Sequence, residues 1–223
     1  MAIAYDTKTE AQNSGSGVNP LNFSHTCTGS DRFLYVAVTT INRSATPTAT
    51  YNGVSMTPVY TNIPVFSTTW EHAGFYLVNP ASGSNTVSIS CAVGSGNNTI
   101  RAGATSYTGV DQTTPILATN SASSPGTGNN MLISLTTASD GWFIISGANV
   151  DFAFSAGANT DVLRATYSGL ADIADSGNDI TAGTTNAQMT HAGTRGYGGC
   201  AIAILPASGG GPAPTNSAFL AFM

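Results

Sequence analysis

Charge is what this chain has least of. Its 223 residues include six basic and eleven acidic side chains, 8% of the total, and the formal net charge is −5. The basic residues, Lys8, Arg32, Arg43, Arg101, Arg164 and Arg195, are scattered with no two adjacent. Neutralising phosphates requires a clustered basic face, so this distribution argues against nucleic acid as a partner. Glutamate occurs only at positions 10 and 71 and histidine only at 25, 72 and 191, which leaves few groups for acid–base or nucleophilic chemistry. No Gly-x-Ser-x-Gly elbow accompanies a histidine, and the facing carboxylate pair of a glycosidase has few candidates, since most aspartates sit in turn-like contexts. We therefore expect no enzyme.

Cysteine is nearly as sparse. Cys27, Cys91 and Cys200 are widely separated, and each lies in an apolar strand pattern without Cys-x-x-Cys or Cys-x-x-His spacing. They read as small core hydrophobes, with one buried disulfide as the alternative, and no metal or cofactor is implied. No run approaches the roughly 20 apolar residues of a membrane helix. The opening Met1-Ala-Ile-Ala-Tyr-Asp has neither the basic leader nor the continuous apolar stretch of a secretory signal. These absences predict a protein made and used without the secretion pathway, with earlier removal of a leader as the alternative.

What the chain does have is β structure. Short runs of Val, Ile, Thr, Tyr and Phe are cut by Gly, Asn, Asp, Ser and Pro, and 41% of residues are hydrophobic. Strands are expected at 2–7, 21–28, 33–41, 47–51, 54–61, 65–78, 86–93, 99–109, 131–137, 142–149, 161–168, 179–190 and 197–205. The implied fold is all-β: a two-sheet antiparallel β-sandwich, jelly-roll-like, read as one domain over 1–207. Tyr51-Asn52-Gly53-Val54 predicts a two-residue hairpin, because both central residues of a type I′ turn need positive φ. Residues 33–38 and 200–205 are apolar on both faces and should be central strands covered on each side. Thr86 to Val93 alternates and should belong to a half-exposed sheet. Leu170-Ala-Asp-Ile-Ala-Asp reads as a single helical turn.

The last residues differ from the rest. A Gly/Pro linker over 208–215 leads to an apolar segment over 216–223 that carries Phe219, Leu220, Phe222 and Met223. Burying those side chains contributes roughly 1.5 to 3 kcal/mol each, and ordering the eight backbone residues costs about 1 to 2 kcal/mol apiece. The two nearly cancel, so docking needs strand hydrogen bonds or many copies acting together. We read the segment as an assembly arm that docks on other copies of the chain. The alternatives are packing back on its own domain and a free end.

Two further clusters invite a functional reading. Trp70, His72 and Tyr76 share one strand face if Ala73, Phe75 and Leu77 point inward, an arrangement suited to stacking on a host surface glycan. The competing reading makes Trp70 core on a strand buried on both sides. Asp161, Asp172, Asp175 and Asp179 form the densest acidic stretch, and the Gly-containing loop 172–179 offers hard oxygen ligands of the kind calcium takes. It lacks EF-hand spacing, so solvated turn residues are the preferred account. His25 shares a face with Phe23 and Cys27 and reads as a core histidine.

Three segments carry a resemblance: Tyr51-Asn-Gly-Val-Ser-Met-Thr-Pro-Val59, Phe75-Tyr-Leu-Val-Asn-Pro-Ala-Ser-Gly-Ser-Asn-Thr-Val-Ser-Ile89, and Ala104-Thr-Ser-Tyr-Thr-Gly-Val-Asp-Gln-Thr-Thr-Pro-Ile116. Together they resemble a loosely defined group of β-sandwich domains in tailed-phage virion proteins and some secreted bacterial proteins, over about residues 20 to 205. The resemblance implies a jelly-roll-like sandwich and a virion or extracellular location, and it carries no catalytic residues. The expectation is a structural protein of a bacteriophage virion, a capsid decoration or tail-associated subunit. Its partners would be other copies of itself and other virion proteins, and a carbohydrate-binding module or lectin-like adhesin is the alternative.

Overall fold

A computed structural model of the chain describes residues 1–14, 19–42, 45–65, 69–92, 99–124, 126, 129–149, 153–157, 160, 162–165, 170–193 and 196–208. Among these residues there are strands and turns and no helix. The first half supplies β1 (Ala4–Ser14), β2 (Leu21–Cys27), β3 (Phe33–Ile41), β4 (Thr48–Tyr51), β5 (Val54–Ser55), β6 (Thr57–Pro64), β7 (Trp70–Val78), β8 (Gly83–Ser90) and β9 (Thr99–Thr108). The second supplies β10 (Ile116–Ser124), β11 (Asn130–Thr137), β12 (Trp142–Asn149), β13 (Phe154–Ala156), β14 (Val162–Ala165), β15 (Leu170–Asp175), β16 (Gly183–His191) and β17 (Tyr197–Ile204).

All pairings are antiparallel, and they make four sheets. The first half forms an outer sheet β2-β8-β4-β5 and an inner sheet β1-β9-β3-β7-β6; the second forms an inner sheet β10-β17-β12-β15-β14 and an outer sheet β11-β16-β13. The side-chain alternation of the inner strands stacks these sheets into four layers. On β3, Leu34, Val36 and Val38 face the first outer sheet, whereas Phe33, Tyr35 and Ala37 face the other inner sheet. On β12, Trp142 and Ile144 face the seam between the halves, and Phe143 and Ile145 face the second outer sheet. Three apolar cores thus lie between four sheets, so the expected sandwich is present with twice the expected layers. That is why 33–38 and 200–205 are apolar on both faces.

The halves share one wiring. If β1, β2, β3, β4, β6, β7, β8 and β9 are matched in order with β10 to β17, both inner sheets and both outer sheets have the same strand order, with β5 as an addition to the first. Contacts across the seam are reciprocal. β9 meets β15 as β17 meets β7, β1 meets β14 as β10 meets β6, β3 meets β15 as β12 meets β7, and β3 meets β12 between them. Reciprocity of this kind defines an isologous interface, so the chain is a covalently joined pseudo-dimer of two jelly-roll-like sandwiches.

Local chemistry follows the sequence at the turns. Asn52 and Gly53 both have positive φ, 50° and 76°, between paired Tyr51 and Val54. Asp111 accepts the amides of Thr113 and Thr114 at 2.8 Å, fixing the turn after Gly109. Two expectations change. Residues 170–175 form a strand, not a helical turn: β15 lies in a sheet buried on both faces, so no alternation marks it, and Ala171 (φ 72°) is the extra residue of a bulge opposite Gly147 and Ala148. β10 was not expected at all, because its small polar residues have weak strand preference and are held by pairing with β17.

Candidate functional site

The expected sugar-binding face has the predicted parity and a different environment. Trp70, His72 and Tyr76 do point opposite Ala73 and Phe75, but that face is the seam. Tyr76 is half-buried and stacks on Phe33 with ring centroids 5.7 Å apart. Trp70 is half-buried against Val65 and Ala148. His72 is 0% exposed and has no surface from which to meet a sugar, so the reading of Trp70 as part of a strand covered on both sides fits the geometry better.

His72 instead sits in a buried polar cluster that joins the halves. Its Nε2 lies 2.8 Å from Ser146 Oγ and its Nδ1 3.1 Å from Thr39 Oγ1. Ser146 Oγ also lies 2.7 Å from Tyr35 Oη, which is 3.3 Å from Cys200 Sγ. A Ser–His pair at this distance has the form of a nucleophile with its base. Here burial pushes the imidazole down to about 3, and Tyr35 and Cys200 are driven up by the same desolvation. With Tyr35, His72, Ser146 and Cys200 at 0% exposure, no substrate carbonyl can be presented to the serine. The cluster satisfies polar groups in an apolar seam and fixes how the inner sheets register. Glycines let the sheets close there: a Cβ on Gly74 would lie 2.5 Å from Tyr35 Oη, and one on Gly103 2.8 Å from the Ala171 carbonyl oxygen. The sequence signal was the polar interruption Ser146-Gly147 in the apolar run from Trp142 to Ala148.

The acidic stretch is structural in another way. Asp172 and Asp175 are fully buried, which corrects the solvated-turn reading. Asp172 accepts the Phe154 amide at 2.9 Å. Asp175 accepts from Arg164 Nε at 2.7 Å, from Tyr107 Oη at 2.9 Å and from the Gly177 amide at 2.9 Å. Arg164 also lies 4.1 Å over the Tyr5 ring, so β1, β9, β14 and β15 are tied at one point across the seam. Asp179 accepts from Trp142 Nε1 at 3.0 Å. Their oxygens are engaged by protein donors, and among the described residues no group of three or more His, Cys, Asp or Glu is placed to hold a metal ion. Asp161 lies outside the described residues.

The other two histidines and the cysteines are also internal. His25 is 1% exposed with Nδ1 3.0 Å from Thr9 Oγ1, and burial lowers it to about 4 despite nearby Asp6. His191 is 5% exposed, 3.2 Å from the Asn149 amide and edge-on to Phe154 and Tyr197. Cys27, Cys91 and Cys200 are buried thiols that form no disulfide with one another.

An opening lined by core residues lies at one edge of the first half. Where the chain leaves the first outer sheet after β5 and enters the inner sheet at β6, the sheets diverge around a groove of about 450 Å³. Pro47, Ala49, Met56, Pro58 and Phe75 line its apolar part, and Thr46, Thr48, Thr50, Ser55 and Thr61 supply hydroxyls. Among the described residues no charged residue lines it. Val54, which follows the tip of the β4–β5 hairpin, is 54% exposed. The assembly-arm residues Phe219, Leu220, Phe222 and Met223 lie outside the described residues. No family model and no curated protein matches the chain.

Proposed function

We propose that this protein is a structural subunit of a bacteriophage virion, a capsid decoration or tail-associated component, that acts through contact with copies of itself and with neighbouring virion proteins. The observation that carries this reading is the division of chemistry between inside and outside. The ionisable clusters described above are turned inward and occupied, while the outer sheets present hydroxyls and amides: Ser24, Thr86 and Ser88 on one, Ser134, Asn186 and Gln188 on the other. A surface of that kind offers shape, hydrogen bonds and strand edges, which suit repeated packing. The four-layer stack supports it: three cores spaced by about 10 Å per sheet pair make a stiff block. The three segments that resemble phage virion sandwiches fall on β4–β6, on β7–β8 and on the β9–β10 crossing, the frame of the first half. In this reading residues 216–223 are an assembly arm.

Gold-labelled antibodies against the chain, applied to particles released by lysis of the source bacterium, test the proposal. Repeated labelling at one particle location is expected. Unlabelled particles, with the chain recovered only as free protein that hits a glycan array, would favour the sugar-binding alternative.

A further inference from the structure

We infer that the groove between β4, β5 and β6 is the receptor for the apolar segment 216–223 of a second copy, which makes the contact head-to-tail. The inference rests on reading that segment as an assembly arm, and it names the surface that takes it. Three observations carry it. First, the chemistries match: the described lining of the groove bears no charge, and residues 208–223 contain no charged side chain. An apolar floor with a rim of threonine and serine hydroxyls suits Phe219, Leu220 and Phe222 with Asn216 and Ser217 beside them. Second, the size is right. A volume of about 450 Å³ falls in the range of roughly 300–1,000 Å³ typical of sites that enclose a small ligand. It takes a few large side chains and not a folded module.

Third, the groove and the arm's point of departure lie at opposite margins. Ala207 donates its amide to the Gly109 carbonyl at 2.7 Å and accepts the Met1 amino group at 2.7 Å. The chain therefore leaves the described structure beside β1 and the end of β9. The groove opens at β6, the far edge of the same inner sheet, four strand spacings or about 19 Å away. A donor at one margin and an acceptor at the other is the layout of a heterologous contact, which closes into a ring or extends as a file of subunits.

The test is sedimentation of the full chain against three variants, combined with a photo-crosslinker in place of Phe222 in an equal mixture of isotopically heavy and light copies. A chain ending at Ala207 keeps every described strand. Thr48→Glu and Thr61→Glu place charge on the groove rim at positions that are not buried. We expect association in the full chain, loss in the truncated chain, at least tenfold weakening in each rim variant, and heavy–light crosslinks to residues 46–61. If truncation abolishes association while both rim variants associate normally and crosslinks fall elsewhere, the groove assignment is overturned and the arm reading survives. Crosslinks confined to one copy overturn the choice of occupant. A truncated chain that assembles as well as the full one overturns the arm reading and the groove assignment with it.

Discussion

Mild acid should destabilise this protein well before its carboxylates titrate. Burial favours neutral imidazole at His72 and His25, which it lowers to about 3 and about 4 from the ordinary 6.5. The unfolded chain therefore takes up protons first as pH falls, and stability present above pH 6.5 is lost progressively down to about 4, where His25 begins to protonate in place. At pH 5.0 an unfolded histidine with that ordinary value gains about 2 kcal/mol from protonation, at 1.36 kcal/mol per pH unit. Two such residues remove about 4 kcal/mol, a large share of the roughly 5–15 kcal/mol that holds a domain folded. His191 is lowered as well and adds in the same direction. Asp6 does not share this window. Burial raises it, but hydrogen bonds from Thr28 and Ser106 outweigh that and hold it below 3.8, so the stability it supplies is lost only as pH falls below that value. Urea unfolding followed by tryptophan fluorescence at pH 7.5 and 5.0 measures the difference, and His25→Gln should remove about half of it. Stability that changes by less than about 1 kcal/mol between the two pH values would refute the reasoning.

Three further outcomes follow from the packing. Ser146→Ala leaves the buried His72 Nε2 and Tyr35 Oη without the partner they share and should cost about 1–3 kcal/mol in chemical denaturation. Arg164→Met strands the fully buried Asp175 and should cost about 3–5 kcal/mol, whereas Lys8→Met, which removes an exposed pair with Glu10, should change stability by less than about 1 kcal/mol. Gly53→Ala forces a side chain to a φ of 76° and should cost about 1 kcal/mol, read as a lower urea midpoint with an unchanged slope.

Strand positions were legible wherever turn chemistry or alternation marked them. Val87 and Ile89 inward with Thr86 and Ser90 outward on β8 is the pattern the sequence shows, and Asn52-Gly53 fixed a hairpin without tertiary help. The duplication was not legible. Gly83-Ser-Asn-Thr-Val-Ser-Ile-Ser-Cys91 and Gly183-Thr-Thr-Asn-Ala-Gln-Met-Thr-His191 follow nearly the same burial pattern, yet they share only the glycine. Burial constrains polarity and size at such positions, not identity, so two segments can hold the same place in the wiring without sharing residues. The seam was hidden for the same reason. Nothing local distinguishes His72 facing solvent from His72 facing Ser146, 74 positions away, and only the doubly apolar runs at 33–38 and 200–205 hinted at extra layers. Asp172 and Asp175 misled because aspartate near glycine usually marks a turn, whereas here the partners that make burial tolerable, the Phe154 amide for Asp172 and Arg164 and Tyr107 for Asp175, come from other strands.

The claim that this is a building block of a particle is tested most directly by quantitative mass spectrometry of virions purified through a density gradient. The account predicts the chain at several copies per particle, retained through the gradient in fixed ratio to the other virion proteins. Its absence from purified particles, with the protein found only as a free monomer in the lysate, would contradict the account.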